Sequence, residues 1–568
     1  MFNFKHSVVF SALALSLTAC GGSDDNETNT APYSITLSSN TVAENQAGAT
    51  IGTLSATDDQ GDSVTFALAS GADARFEIDG VTLKLAADQS LDFEPKGVAT
   101  PEITLPVIVS DGESEKEETL VIKVTDELDY YGFYDGNGQS TVSYSGQVAR
   151  HAIIAELNNY ISSTLATEIN NGDIATKAEI LAKLHAYFYD PAKAPAGVDV
   201  AAILAKDITL VDNSEQANIN AISTGKNLQA KIAGNDSVTD HKDWKAGDKF
   251  EGFSAAFMGG SFENTPEGLL LRLLDKLAEN AEAFAAGTVS SVYVTADGQD
   301  LKQLIQKFLL GAVAFQQGAD DYLGDDVDGK GLKADNTAIV ENKTYTNLEH
   351  QWDEGFGYFG AARDYLAYTD EEIAAKGGRD GWSSGYYDTN GDGKIDLNSE
   401  FNFGNSTNAA KRDLGSLATT DLTKDAMEGF LKGRALINAN AGSALTEAQM
   451  DELKDHRDQA VLAWEKSIAA TVIHYINDTV TDLNGISDET PTADLAKHWS
   501  ELKGFLLGLQ FNPASPLSDA DFTIVNDLVG DKPDVSLAGK ANYITGLETA
   551  RTKLQTAYAF DATVAAQW

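Results

Sequence analysis

Hydrophobic periodicity changes once along this chain, near residue 127, and that change divides what the chain can fold into. From Tyr33 to about Asp126, short runs such as "SVTFALAS", "FEIDGVTLKLAA" and "EETLVIKVTD" alternate apolar and polar residues, with Gly, Asp and Asn between them. Alternation at period two puts one face of a strand into a core, and turn residues at these intervals build an all-β sandwich. Beyond "ELDYYGFYDGNG" the apolar residues recur at three and four, as in Val148, Ile154, Leu157 and Ile161. That is the spacing of a helix face. The pattern continues through 176–188, 266–286, 299–316, 348–367, 445–483, 493–510 and 537–560. Thr265-Pro266-Glu267 signals a helix start, with Pro in the first turn and an acid near the positive helix end. The expected protein is multidomain: an all-β sandwich over 33–127, then a large all-α helical-bundle domain over 128–568, read as two bundles. No repeat period of solenoid type is present.

Charge and cysteine usage narrow the setting. The 568 residues carry 86 acids against 41 bases, a formal net charge of -45. Such a field repels nucleic acid and anionic head groups and concentrates cations, so a nucleic-acid partner is excluded. The only cysteine is Cys20. "MFNFKHSVVFSALALSLTAC" starts basic and continues with an apolar run too short to span a bilayer, the outline of a secretory signal over 1–19. Its end, Leu17-Thr18-Ala19-Cys20, resembles a bacterial lipobox. The resemblance implies cleavage before Cys20 and its lipidation. Gly21 in place of aspartate implies an outer-membrane lipoprotein of the cell envelope, facing the periplasm or the outside. The competing reading is a plain secretion signal. Residues 20–32, small, polar and acidic, read as a flexible tether. With Cys20 consumed, neither disulfides nor cysteine catalysis remain.

Within the β region, "VAEN" (42–45), "SATDDQGDSVTFAL" (55–68), "FEIDG" (76–80), "SLDFE" (90–94), "VIVSDGE" (107–113) and "IKVTDELD" (122–129) follow one another in the order of a bacterial cadherin repeat. The domain resembles that family along its whole length. The resemblance implies calcium at the domain ends, held by Glu44, Asp92 and Glu94 with Asp126 at one end, and by Asp58 and Asp111 at the other. Calcium takes six to eight hard oxygens, so acids from separate loops suit it. The sequence departs from the pattern at Gln60, where the family has a second Asp, and in the exit "TDELD". Only one repeat is present, whereas family sites lie between repeats. The alternative is a spacer whose acids are turn residues.

"DTNGDGKIDLNSE", 388 to 400, has the spacing of an EF-hand calcium loop. Asp388, Asn390 and Asp392 stand at positions one, three and five, Gly393 turns the chain, Lys394 offers its carbonyl, and Asp396 is at nine. Position twelve is Ser399, and the acid arrives one residue late as Glu400. A structural calcium pinning a long loop is expected rather than a sensor, because no second hand is present. The competing reading is a polar Asp-Gly turn.

Two helical segments pair imidazole with carboxylate. In "LEHQWDEGFGYFGAARDY" (348–365), His350 and Glu354 share a face, Leu348, Trp352, Phe356 and Phe359 form a core stripe, and Gly355, Gly357 and Gly360 weaken the helix. Three glycines in six residues suggest close approach of another helix, or strain. In "AKHWSELKGFLLGLQFNP" (496–513), His498 and Glu501 are three apart. Two helices each offering an imidazole and a carboxylate can build a divalent-metal site in a bundle, suited to iron or zinc. Glu465, His474 and His151 with Arg150 are further contributors. The phrases "YSGQVARHAIIAEL", "EHQWDEGFGYFG" and "HWSELKGFLLGLQFNP" resemble an uncharacterised family of bacterial lipoproteins over nearly all of 130–568, and more loosely the imelysins. The imelysin resemblance implies a two-bundle envelope protein linked to iron uptake and once described as a peptidase. The imelysin His-x-x-Glu appears as His498 to Glu501, whereas the first pair reads His350-Gln-Trp-Asp353 with Glu354 following.

No zincin His-Glu-x-x-His, nucleophile elbow or phosphate loop is present. The expected function is therefore non-enzymatic: a lipoprotein that binds calcium structurally and captures a metal, iron or zinc, or a metal-bearing ligand, through its helical domain. One alternative is calcium-dependent adhesion to a protein partner by the cadherin-like domain. Another is an imelysin-type metallopeptidase with Glu354 or Glu501 as general base.

Overall fold

The computed structural model describes residues 28–93, 102–236, 240–245, 247–415 and 420–568. The expected signal over 1–19, Cys20, most of the tether and Glu94 lie outside the described residues. The chain divides after Glu127 into two compact units.

The first unit holds β1 (Tyr33–Leu37), β2 (Thr41–Ala43), β3 (Thr50–Thr57), β4 (Thr65–Leu68), β5 (Phe76–Asp79), β6 (Thr82–Leu85), β7 (Glu102–Ser110) and β8 (Glu115–Thr125). They form two four-stranded sheets, ordered β1-β3-β6-β5 and β2-β8-β7-β4. Strand β2 runs parallel to β8, with Thr41 opposite Lys123, while β7 and β8 pair antiparallel from Glu102–Lys123 to Ser110–Glu115. Alternation decides the faces: Leu105, Val107 and Val109 of β7 point into one core with Leu54, Leu83, Leu85 and Ile122.

The second unit is helical. Its longer helices are α1 (Ser145–Asn159), α2 (Lys177–Ala186), α3 (Pro266–Ala285), α4 (Leu301–Leu309), α5 (Asn347–Phe359), α6 (Gly404–Asp413), α7 (Leu422–Ala439), α8 (Glu447–Gly485), α9 (Ala493–Leu506), α10 (Asp519–Val529) and α11 (Lys540–Ala557). Two of them widen into π-helical turns, α1 at Tyr160–Thr164 and α4 at Leu310–Phe315 and Gln317–Tyr322. Buried apolar side chains from Tyr131 to Ala565 form one connected cluster. Among the described residues, no helix is long and apolar enough to cross a membrane.

Local chemistry accounts for α5. Thr346 and Glu349 close a capping box at its start, and Gly360 ends it at φ +79°. The glycines permit close approach: a Cβ at Gly355 would lie 2.7 Å from Leu323, and one at Gly357 would lie 2.7 Å from Tyr144 on the approach to α1. Trp352 donates its indole N–H to the Phe430 carbonyl at 2.9 Å and seats its ring against Gly433 of α7.

Beside this packing sits a fully buried ion cluster. Arg434 donates to Asp353 at 2.7 Å and Glu349 at 2.8 Å, and to the Thr141 hydroxyl at 2.8 Å. Its guanidinium also lies 4.9 Å from the Phe133 ring centroid. Asp353 further accepts from the Tyr131 hydroxyl at 3.0 Å and the Ser143 amide at 2.9 Å. Two acids of the "EHQWDEG" stretch are thus spent on architecture. Removing one partner of such a pair leaves uncompensated buried charge, which costs about 3–5 kcal/mol. Arg434→Leu should lose about that much unfolding free energy in urea melts, about 3–5 kcal/mol.

Candidate metal centres

In the 388–400 loop the oxygens converge on backbone amides. Asp388 accepts from Gly391, Asp392 and Gly393 at 2.7, 3.1 and 2.7 Å, Asn390 from Asp392 at 2.9 Å, and Asp392 from Lys394 at 2.8 Å. Gly391 and Gly393 take positive φ, +72° and +85°, as the tight loop requires. Ile395 is buried and ties the loop to Asn213 and Glu215 through its backbone. Glu400, at the thirteenth position, folds back: its carboxylate accepts from Thr389, Asn390 and Asp396 amides at 3.0, 3.2 and 2.8 Å. Asp396 is held by Gln216 at 2.8 Å and by Ser399 at 2.6 Å. Burial pushes the Glu400 carboxyl up, and pushes neighbouring Asp364 up to about 6. The donor set is all hard oxygen on one loop, which fits calcium.

In the two-sheet unit, the acids fall at two ends. Glu44 is fully buried and accepts from the amides of Phe93 at 2.6 Å and Glu127 at 2.7 Å, which places it with the segments carrying Asp92 and Asp126. Asp58 accepts from the amides of Gln60 and Asp62 at 3.0 and 2.9 Å. Asp111 accepts from Glu113 and Ser114 at 2.7 and 2.8 Å and from the Asn29 side chain at 3.0 Å. Asp111 is held by the protein's own amides and by Asn29, whereas the second carboxylate oxygen of Asp58 is buried without a hydrogen-bond partner among the described residues.

The two His-Glu pairs are not brought together. His350 bonds the Ser143 carbonyl through Nδ1 at 3.0 Å, stacks on Tyr345, and faces Glu354 through Nε2 at 3.8 Å. Glu354 accepts from Gln147 at 2.7 Å. His498 and Glu501 look elsewhere, and among the described residues no hydrogen bond or ion pair links the two pairs. Glu501 faces the Lys307 ammonium at 3.7 Å. His498 instead turns to α8: its Nδ1 meets Asp482 at 2.8 Å and its Nε2 lies 3.9 Å from Asp478. His474, one turn before Asp478 on α8, puts its Nε2 3.3 Å from the same Asp478 oxygen. The single two-helix site expected from His350, Glu354, His498 and Glu501 is therefore corrected. His498 shares its surroundings with His474, Asp478 and Asp482. Burial, and then the nearby Arg412, push the His474 imidazole down to about 3, so it stays neutral, the form that ligates metals.

The other expected contributors are structural. Glu465 is fully buried and accepts from Asn512, Ser515 and Tyr558, which packs α8 against the C-terminal segments. His151 bonds the Tyr358 carbonyl at 3.0 Å and stacks on Phe403, and burial pushes it down to about 4. Arg150 donates to the carbonyls of Asn227 and Gly146, both at 3.0 Å.

A cluster absent from the sequence reading comes from the π-helical end of α4. Carboxylate oxygens of Asp240, Asp320 and Asp321 lie within 4.8 Å of one another. Gln316 donates to Asp240 at 2.6 Å, the Gly234 amide donates to Asp240 at 2.7 Å, and His241 meets Asp320 at 2.9 Å. Burial, and then the charge of Asp321, push the Asp240 carboxyl up to about 8. The adjacent "QGADDY" shows two acids in line, but not the loop residue that folds onto them.

Residues 198–376 match a family described as "Domain of unknown function (DUF4856)", less than half of the chain. The match includes the Asp240 cluster and α5 and stops short of the 388–400 loop and of α8 and α9. No curated protein matches. Among solved structures, the crystal structure of human protocadherin-24 EC1-2 is 22% identical, with a TM-score of 0.16, over 19% of this chain and 50% of that one. The chain thus spans half the length of that structure, and at such a score the likeness carries no argument about the fold.

Asp240 sets a pH dependence with a definite sign. Its folded pKa lies above the ordinary value, so the native state holds more protons and stability falls as pH rises through about 8. From about pH 5 to about pH 9 the wild-type Tm should fall more steeply than that of Asp240→Asn. Parallel profiles by differential scanning fluorimetry would contradict this assignment.

Proposed function

We propose that the protein is a non-enzymatic cell-envelope lipoprotein. Its helical unit binds calcium in the 388–400 loop and captures a divalent transition metal, iron or zinc, or a ligand bearing one. The capture site is the face of α8 and α9 formed by His474, Asp478 and His498. The observation that carries this reading is that two imidazole Nε2 atoms lie 3.3 and 3.9 Å from one Asp478 oxygen. A metal would have to draw this set together, since its three ligand atoms do not all lie within 4.8 Å of one another. Two imidazoles and a carboxylate are a donor set for zinc or iron. Asp482, bonded to the other ring nitrogen of His498 at 2.8 Å, fixes its orientation as outer-shell acceptors do for ligating histidines. Lipid at Cys20 would hold the protein at the membrane, and the acidic surface would favour cations.

Elemental analysis of metal-loaded protein tests capture. Wild type and His350→Ala should retain a transition metal that His474→Ala and His498→Ala lose, with calcium equal in all four. Equal transition-metal content across the set would end the proposal. Calcium is tested separately by melting. At a hundredfold excess over Kd it should add about 2.7 kcal/mol to unfolding. The double variant Asp388→Ala/Asp392→Ala should show no response.

A further inference from the structure

A cavity of about 680 Å³ lies elsewhere in the helical unit, between the 249–264 segment and helices α9 and α10. Sites for small ligands run from roughly 300 to 1,000 Å³, apolar walls with a few fixed polar groups. Here Phe250, Phe253, Met258 and Phe262 supply the walls. Lys503 of α9 also lines the cavity, although only 1% of it is exposed. Its ammonium donates to Asn526 at 2.7 Å and lies 4.7 Å from the centroid of the Phe253 ring. Asn526 is itself fixed, donating to the Gly252 carbonyl at 3.1 Å.

A buried ammonium is costly unless its donors are satisfied. Lys503 has three donors and one hydrogen-bond acceptor among the described residues, so two N–H groups stand ready for a ligand oxygen. Acids surround this cation at greater range. Asp531 is engaged by the Ser254 amide at 3.0 Å, and Glu251 is paired with Lys249 at 2.7 Å. Asp527, exposed at the cavity, has no hydrogen bond or ion pair among the described residues. The cavity therefore offers one buried cation, a lining that mixes polar and apolar side chains, and one carboxylate, Asp527, that makes no hydrogen bond among the described residues and acts on Lys503 only at range.

We propose that this cavity binds a short peptide with apolar side chains, its terminal carboxylate on Lys503 and its amino group toward Asp527. The site is separate from the proposed metal face, which uses His498 of the same helix but the opposite neighbour, α8. Isothermal titration of the full mature chain with tri-leucine tests it. Tri-leucine should bind saturably, and C-terminal amidation should weaken binding at least tenfold. Lys503→Met should weaken it equally, while Lys497→Met, an exposed lysine on the same helix, should not. Ala255→Trp places a ring in the cavity from an exposed position and should also weaken binding, so the test survives if Lys503→Met fails to fold. The proposal is overturned if tri-leucine does not bind up to millimolar concentration, or if the amide binds as well as the acid. It is overturned equally if octanoate, which lacks an amine, binds as tightly as the peptide.

Discussion

The buried guanidinium of Arg434 sets the terms for the centre of the helical unit. It joins α7 to Glu349 and Asp353 of α5 and to Thr141, while Asp353 carries the contact on to Tyr131 and Ser143. Three charges without water are tolerable only when every lone pair and donor is placed. That demand fixes where α5 and α7 cross and where the 131–143 segment must run. The aromatic packing follows from it: Tyr131 stacks on Phe356 at 3.7 Å, and Phe356 and Phe359 both meet Phe430 at 5.5 Å. Glycine makes the approach possible at Gly433, where the Trp352 ring occupies the space of a side chain.

The sequence was most legible where periodicity and punctuation agree. The change of texture near 127 coincides with the division between the units, and Thr265-Pro266 begins α3 as its chemistry demands. Helices α6 and α7 were not legible. The first buries Asn405, Ser406, Asn408, Arg412 and Asp413, so polarity hides its inner face. The second buries Gly429, Gly433 and Arg434 among Met427, Phe430 and Leu431, so residues that do not read as core interrupt its apolar face. Helix α10 also lies outside the segments with a clear helical period, although Ser518 caps it and Phe522, Val525 and Val529 form a buried face.

The candidate sites divide along the same line. Spacing within one loop, as in 388–400, or within one helix, as in His350 and Glu354, can be read directly. The partner of His498 cannot, because Asp482 and Asp478 approach it from another helix. Position-by-position pattern favours Glu501, three residues on, yet Glu501 faces Lys307 of α4. Asp240 joins Asp320 across eighty residues of chain with no local signal.

In the two-sheet unit, β2 and β8 are paired parallel, and Glu44, just beyond β2, clasps the Glu127 amide just beyond β8. That arrangement has a mechanical meaning. A load drawn along the chain at Glu127 pulls β8 lengthwise past β2. Parallel rungs in such a pair are sheared together instead of opening one after another, and the Glu44 clasp must break with them. Tension at the C-terminal exit of the unit therefore meets several bonds at once rather than one at a time.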